Sequence, residues 1–286
     1  VIGTYLALTK PRVIELLLVT TVPAMILADE GLPNLGLIAA VLVGGALAAG
    51  GANTVNCWIE RDRDQLMKRT HHRPLATGAV APVPALVFGL VLEVLAFALL
   101  WTTANLLAAS LALAAMLFYV FVYTIWLKPR SPQNIVIGGA AGAVPALVGW
   151  AAVTGGLAAP AWVLFALVFF WTPPHFWALA LRYRDDYAAA GIPMLPVVKG
   201  NEAATRQIFL YSIVVVATSL CLGLTTTMGL LYVVAASVLG VAFVAGAWQL
   251  RRNPEPSRAI RFFGYSNLYL ASLFVVVAVD TLIRAA

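Results

Sequence analysis

Nine apolar stretches, each about twenty residues long, leave this chain few ways to fold. They fall at residues 13–31, 36–58, 83–102, 105–127, 134–154, 160–181, 205–225, 228–249 and 263–283. Wound as a helix, a run of that length matches the hydrocarbon thickness of a bilayer, and none of the nine alternates as a barrel strand does. Inside lipid each backbone N–H and C=O has to find its partner within the segment, so helices are expected. The composition agrees. Of 286 residues 62% are hydrophobic and 10% charged, with a mean hydropathy of +0.92, whereas a soluble domain carries charge on about a quarter of its residues. The expected fold is all-α, a polytopic membrane protein of nine transmembrane helices forming one domain over residues 1–286.

The first run starts behind Lys10 and Arg12, is a full span long and has no small-residue cleavage site after it. It therefore reads as a span and not as a cleavable signal peptide. Cys57 and Cys221 fall near opposite faces of this topology and give no disulfide framework. The formal net charge is +6, but in so apolar a chain the basic residues mark a membrane side and do not point to nucleic acid. Lys10 and Arg12, the cluster Arg61 to Arg73, Lys128 and Arg130, Arg182 to Arg206, and Arg251 to Arg261 all fall on one face of the nine-span plan. The other face receives Asp29, Glu30 and, among basic residues, Arg284. This predicts a multi-pass cell-membrane protein with its amino terminus cytoplasmic and its carboxyl terminus outside.

Two polar stretches interrupt the plan, both on the basic face. Residues 53–74 read NTVNCWIERDRDQLMKRTHHRP, and residues 182–187 read RYRDDY. If the helix of the second run continues past residue 58, Asn56, Glu60 and Asp64 share one face, each about 6 Å of rise from the next. Magnesium is commonly held through one or two carboxylates together with phosphate oxygens, which suits Asn56, Glu60 and Asp64 with Asp185 or Asp186 opposite. A leaving diphosphate would need cations, and Arg69, Lys128, Lys199 and Arg182 are the candidates. The plain alternative is a solvated loop whose acids and bases neutralise each other. Two such stretches at one membrane face argue against it.

His175 lies in Trp171-Thr172-Pro173-Pro174-His175-Phe176-Trp177. The proline pair is expected to break that helix and free carbonyls beside a cavity, leaving His175 either to meet haem iron or an acid, or to rest as a neutral imidazole on a freed carbonyl. His71 and His72 read as loop residues near an anionic substrate. Tyr123, Trp126, Phe176, Trp177, Tyr183 and Tyr187 gather near the basic ends of the fourth and sixth runs, where aromatic faces can stabilise an allylic cation or simply form an interfacial belt. Glu15, Glu93 and Asp280 are acids within or beside spans, without an assigned role.

Together, Asn53-x-x-Asn56-Cys57-x-x-Glu60-Arg61-Asp62-x-Asp64-x-x-Met67-x-Arg69-Thr70-x-x-Arg73-Pro74 resembles the first motif of the UbiA-type intramembrane prenyltransferases. Tyr123-Thr124-x-Trp126-Leu127-Lys128 running into residues 134–143, Pro174-His175-Phe176-Trp177, and Asp186-Tyr187-x-x-Ala190-Gly191-Ile192-Pro193-Met194-Leu195-Pro196 are similar to the branch of that family that farnesylates haem. The resemblance spans nearly the whole chain. It implies a nine-helix bundle around a central cavity, with farnesyl diphosphate, haem B and water giving haem O and diphosphate. It implies catalytic and magnesium-holding roles for Asn56, Glu60, Asp64, Asp185 and Asp186, with Lys128 beside them. Substrate contacts would come from Arg69, Arg73, Tyr123, His175, Arg182, Tyr187 and Lys199. Haem B is then a substrate and Mg2+ the cofactor, and the partners are membrane lipid with haem A synthase or a terminal oxidase assembly. Glu60 stands where many relatives carry Asp, and Arg182 where the superfamily often carries another Asp, so one magnesium held by the first motif is the alternative to two. Prenylation of a quinone precursor, or a membrane transporter with broken helices, are the rival readings.

Overall fold

The computed structural model describes residues 2–226 and 228–286, with all their side chains except those of Arg12, Val13 and residues 15–18. Among the described residues every regular element is a helix. A short α1 (Ile2–Thr9) precedes α2 (Pro11–Asp29), α3 (Leu35–Asp64), α4 (Pro82–Thr103) and α5 (Leu106–Leu127). Then come α6 (Asn134–Thr154), α7 (Ala159–Arg182), the short α8 (Arg184–Ala189), α9 (Leu195–Thr225), α10 (Leu230–Arg252) and α11 (Pro256–Ala285). Eight of these are long and apolar enough to cross a membrane, and α2, apolar through Val19–Asp29, stands where the first of the nine spans is expected. The side chain of Glu15 lies outside the described residues.

Local chemistry sets the boundaries. Asn34 caps α3 by accepting from the backbone N–H groups of Gly36 and Leu37, and Asn105 caps α5 by accepting from Ala108 N. Proline occupies the first turn of α2, α4, α7, α9 and α11, where the missing N–H would have had no helical partner. Three helices reach further than their apolar runs. α3 continues through the charged residues to Asp64, with Arg61 and Arg63 in its last turn complementing the helix dipole. α9 starts at Leu195, with left-handed backbone at Gly200, and α11 starts at Pro256.

α6 and α7 are buried along most of their length, whereas α4, α5, α9 and α10 expose most of their apolar surface, as lipid-facing helices do. α2 packs against α6 and α11, α3 against α4, and α7 against α6, α9 and α11. The expected break at Pro173–Pro174 does not occur. α7 runs through both prolines, tightly enclosed by its neighbours, while the Thr172 hydroxyl donates to Val168 O at 2.8 Å. Asp280 is also not a free intramembrane acid: it accepts from Gly229 N at 2.8 Å and Tyr232 N at 3.2 Å, capping α10, and pairs with Arg284 at 3.0 Å. Glu93 is buried beside Gly51 between α4 and α3. Cys57 is buried, Cys221 exposed, and both are free thiols.

The α2–α6 contact tolerates no side chain at Gly149, where a Cβ would lie 2.6 Å from the backbone oxygen of Thr21. A backbone atom cannot swing aside, so Gly149→Ala is expected to destabilise the protein by about 1–3 kcal/mol. Gly142→Ala on the same helix, with nothing within 4 Å of the new carbon, should melt like the parent. Thermal unfolding in detergent compares the two.

Candidate active site

Because α3 is unbroken to Asp64, Asn56, Glu60 and Asp64 present one face. All three are nearly inaccessible, at 1%, 3% and 4% exposure, and all three line a single cavity of about 690 Å3. Polar groups this deep need partners, and each has a cationic one. Lys10 Nζ donates to Asn56 Oδ1 at 2.7 Å, Lys128 forms an ion pair with Glu60, and Arg73 Nη1 reaches both oxygens of Asp64 at 3.0 and 2.8 Å. The acids and bases therefore do neutralise one another, but on the wall of a cavity and not in a solvated loop.

Three separate segments deliver these cations. Asn53 Nδ2 donates to Thr9 O at 3.0 Å, anchoring the end of α1 on α3. The chain then turns at Lys10 with φ 54°, a left-handed conformation costing a non-glycine residue about 1–2 kcal/mol, and this directs the lysine into the cavity. The last part of α5, Phe118–Leu127, winds as a π-helix, and Lys128 follows it directly. The Thr124 hydroxyl donates to Tyr119 O at 2.8 Å, so it accepts from Asn56 Nδ2 at 3.1 Å. That contact orients the carboxamide with its oxygen toward Lys10.

Burial pushes the Lys10 ammonium below the ordinary lysine range, because desolvation disfavours the charge. Burial acts the same way on Lys128 and Arg73, but the Glu60 and Asp64 carboxylates respectively outweigh it, and both cations end above their ordinary values. The wall thus holds two ion pairs and a lysine on a carboxamide.

The second polar stretch meets the first through Arg69. Asp186 Oδ2 accepts from Arg69 N at 3.1 Å, and Arg69 Nη2 lies 3.5 Å from the Tyr187 hydroxyl. The guanidinium sits over Tyr183 and Tyr187 at 5.8 and 5.9 Å. Arg69 and Tyr187 line the cavity, and Arg69 Nε is buried without a hydrogen-bond partner. Asp185, Arg182 and Lys199 are exposed and absent from the cavity lining. The six-residue α8 presents Asp186 toward Arg69 and turns Asp185 to the outside, Arg182 stacks on Tyr183 at 5.6 Å, and Lys199 precedes the left-handed break at Gly200. His71 and His72 are exposed, away from the lining.

The cavity continues between apolar side chains of α2, α3, α5, α6 and α7, among them Val19, Ala48, Ala112, Val144 and Val168. Tyr123, Phe176 and Tyr187 line it, while Trp126 faces outward and Trp177 is buried against Tyr211. Tyr123 stacks on Tyr119 at 5.4 Å and lies so close to α6 that a Cβ on Gly138 would fall 2.2 Å from its ring. His175 lines the cavity between Trp171 and Phe263, each ring centroid 4.2 Å away. Its Nδ1 meets Ser266 Oγ at 2.7 Å, not a freed helix carbonyl. Since that hydroxyl donates to Phe263 O at 2.7 Å, it accepts from the imidazole, so Nδ1 carries the proton and Nε2 keeps its lone pair.

Reading residues in order missed Lys10, Thr124, Tyr119 and Ser266. Lys10 was legible only as a topological charge, and the other three come to the site from distant positions or non-α backbone. The donor set of Asn56 Oδ1 and the carboxylates of Glu60 and Asp64 is all oxygen, with Asp186 behind the wall on the backbone of Arg69. Among the described residues no three acids converge as a metal cluster, so the donor chemistry fits a hard divalent cation only when it is shared with phosphate oxygens and when Lys10, Lys128 and Arg73 release these three side chains.

The UbiA prenyltransferase family profile matches residues 17–273. The chain is 55% identical over 282 residues to the protoheme IX farnesyltransferase of Mycobacterium avium strain 104, covering 98% of this chain and 91% of that protein. It is 54% identical over 286 residues to the protoheme IX farnesyltransferase of Frankia alni, covering 99% of each. Among solved structures it superposes on a digeranylgeranylglyceryl phosphate synthase with a TM-score of 0.80, at 16% identity over 99% of both chains. It superposes on a UbiA homologue from Archaeoglobus fulgidus bound to GPP and Mg2+ with a TM-score of 0.67, at 20% identity over 96% of this chain and 99% of the other. At such identities the structural matches speak for the fold.

The Glu60–Lys128 pair gives a direct check on the wall. Glu60→Gln or Lys128→Met alone strands a buried charge and is expected to destabilise the protein by about 3 kcal/mol. The double variant should recover at least half of that loss in thermal unfolding, because neither charge is then left behind.

Proposed function

Because the chain belongs to the UbiA prenyltransferase family, we propose that it transfers the farnesyl group of farnesyl diphosphate to the vinyl group of haem B, giving haem O and diphosphate. The observation that carries this reading is the concentration of Asn56, Glu60 and Asp64 with Lys10, Arg69, Arg73 and Lys128 along one wall of an otherwise apolar cavity. That division suits an amphiphile with an anionic head and a hydrocarbon tail. The buried, unpartnered Arg69 Nε supports an anion beside it. The nearly full-length similarity to proteins named protoheme IX farnesyltransferase supports haem as the acceptor over a quinone precursor.

In this reading Lys10, Lys128, Arg69 and Arg73 attract the diphosphate and stabilise the charge that grows on its bridging oxygen as the farnesyl C–O bond breaks. Bound magnesium, held through Asn56, Glu60 and Asp64, would neutralise further phosphate charge. The electron pair leaves with diphosphate. Tyr119, Tyr123 and Phe176 face the resulting allylic cation with π-surface and keep bulk water from it. The vinyl π pair of haem then forms the new C–C bond, and water adds to the adjacent carbocation with loss of one proton. His175 presents Nε2 on the haem side, locked by Ser266 and two flanking rings. Asp186 belongs to this scheme as the group that holds the backbone of Arg69. The basic face of the bundle is assigned to the cytoplasm, with the amino terminus there and the carboxyl terminus outside.

The test uses purified protein in detergent with farnesyl diphosphate, haem B and magnesium, and reads products by mass spectrometry. Farnesylated haem is expected, and its absence where a working relative forms it would overturn the assignment. Asp64→Asn and Asn56→Ala should each lower the turnover of the folded fraction by about a hundredfold or more, and Asp64→Asn, which leaves Arg73 without its carboxylate, should also unfold at a lower temperature than the parent. Near-parental rates in both would remove the diphosphate from this wall. His175→Ala should change the absorption spectrum of bound haem, and an unchanged spectrum would remove His175 from the haem contact.

A further inference from the structure

A second concavity, of about 500 Å3, lies outside the active cavity in the hairpin of α10 and α11. Its α10 wall repeats at helical spacing, Ala242, Ala245, Gly246 and then Gln249, so the side chains that would normally fill it are absent or short. Phe262 lines it from α11, and a Cβ at Gly246 would already touch that ring at 3.5 Å. Ala242, Ala245 and Gln249 are exposed, so the slot opens sideways, toward lipid. Arg258 and Arg261 stand at its hairpin end, about 10 and about 6 Å along the helix axis from the level of Tyr265.

These arginines lack a counter-charge. Among the described residues no ion pair reaches Arg251, Arg252, Arg258 or Arg261, and Arg258 Nε is buried without a hydrogen-bond partner. The one acid in the turn of the hairpin, Glu255, is engaged by Asn253 and Ser257, and Asp280 lies at the far end of α11 on Arg284 and the start of α10. Arg251 and Arg252 lie over Trp248, at 5.4 and 5.0 Å, and neither lines the slot. A half-exposed tryptophan capped by arginines marks the level of lipid headgroups. The arginines therefore sit at phosphate depth and the small-residue slot below them at acyl depth.

We infer that the α10–α11 hairpin binds one anionic phospholipid of the bilayer, its headgroup phosphate on Arg258, Arg261 and Gln249 and one acyl chain along Ala242, Ala245 and Gly246. A basic pocket between helices above an apolar slot offers a phosphodiester with a hydrocarbon tail both halves of what it needs. A small soluble anion would use the arginines and leave the slot empty.

Delipidated full-length protein in neutral detergent is titrated with dioleoylphosphatidylglycerol and, separately, dioleoylphosphatidylcholine, and retained lipid is counted by native mass spectrometry. The phosphatidylglycerol is expected to be retained at lower concentration. R258Q/R261Q should raise the concentration needed for it about tenfold or more, with little effect on the phosphatidylcholine. Ala245→Trp, which fills the slot from an exposed position and changes no charge, should weaken retention of both lipids. R251Q/R252Q, which leaves the slot untouched, should retain phosphatidylglycerol as the parent does. Unfolding temperatures of the variants establish that they are folded. Equal retention of phosphatidylglycerol by the parent and R258Q/R261Q would overturn the site. So would an equal loss in R251Q/R252Q, or displacement of the lipid by inorganic phosphate.

Discussion

A buried carboxylate needs a cation, and the inner end of α3 has two carboxylates and a carboxamide stacked on one face. Much of the surrounding structure is arranged to answer that demand. The α1–α2 junction adopts left-handed backbone to bring in Lys10, the segment after α3 folds back to bring in Arg73, and the π-wound end of α5 places Lys128. Three connections between helices, which could otherwise vary freely, are thereby tied to one wall. The same pairing prepares the wall for a ligand. In the proposed reaction an incoming diphosphate would draw the cations away from carboxylates that a metal ion could then use, so binding would exchange partners and need not strand a charge.

Beyond that wall the cavity is apolar, which determines how strongly the wall acts. Buried in a lining that is mostly apolar, charge on Lys10, Arg69, Arg73 and Lys128 is felt over longer distances than at an exposed surface. The aromatic side is equally constrained. Tyr123 occupies the space that any side chain at position 138 would need, and its stacking on Tyr119 leaves two rings facing the cavity from α5. The small residues of α6 are thus part of how the cavity is shaped, in addition to allowing helices to approach.

The sequence made the nine spans and the Asn56–Glu60–Asp64 face readable because both rest on simple periodicity: a run long enough to span, and a four-residue repeat on a helix. Lys10 was not readable as a site residue, since a lone basic residue before a span serves topology in most chains and its inward turn depends on the anchoring of α1 by Asn53. Thr124 escaped because the π-helical winding that aims it at Asn56 follows no 3.6-residue pattern. Ser266 is 91 residues from His175, and only the packing of α11 on α7 brings them together. The proline pair misled for the opposite reason: local rules favour a break, and the tight enclosure of α7 overrides them.

The two acidic stretches illustrate the limit of symmetry as an argument. On paper the second, weaker stretch faces the first across one metal site, but it is carried by a helix too short for sequence to fix its phase, and only Asp186 of its two acids turns inward. That residue spends one oxygen on the backbone of Arg69 and lies behind the cavity wall. Its effect on the cavity passes through Arg69, whose guanidinium is further braced by Tyr183 and Tyr187 while Nε is left without a partner. An acid placed this way neutralises nothing in the ligand. It fixes the position of Arg69, the cation that the proposed reaction sets against the diphosphate, and the arrangement is asymmetric: α3 carries the oxygen side chains, and the 182–187 stretch holds a positive charge at the cavity.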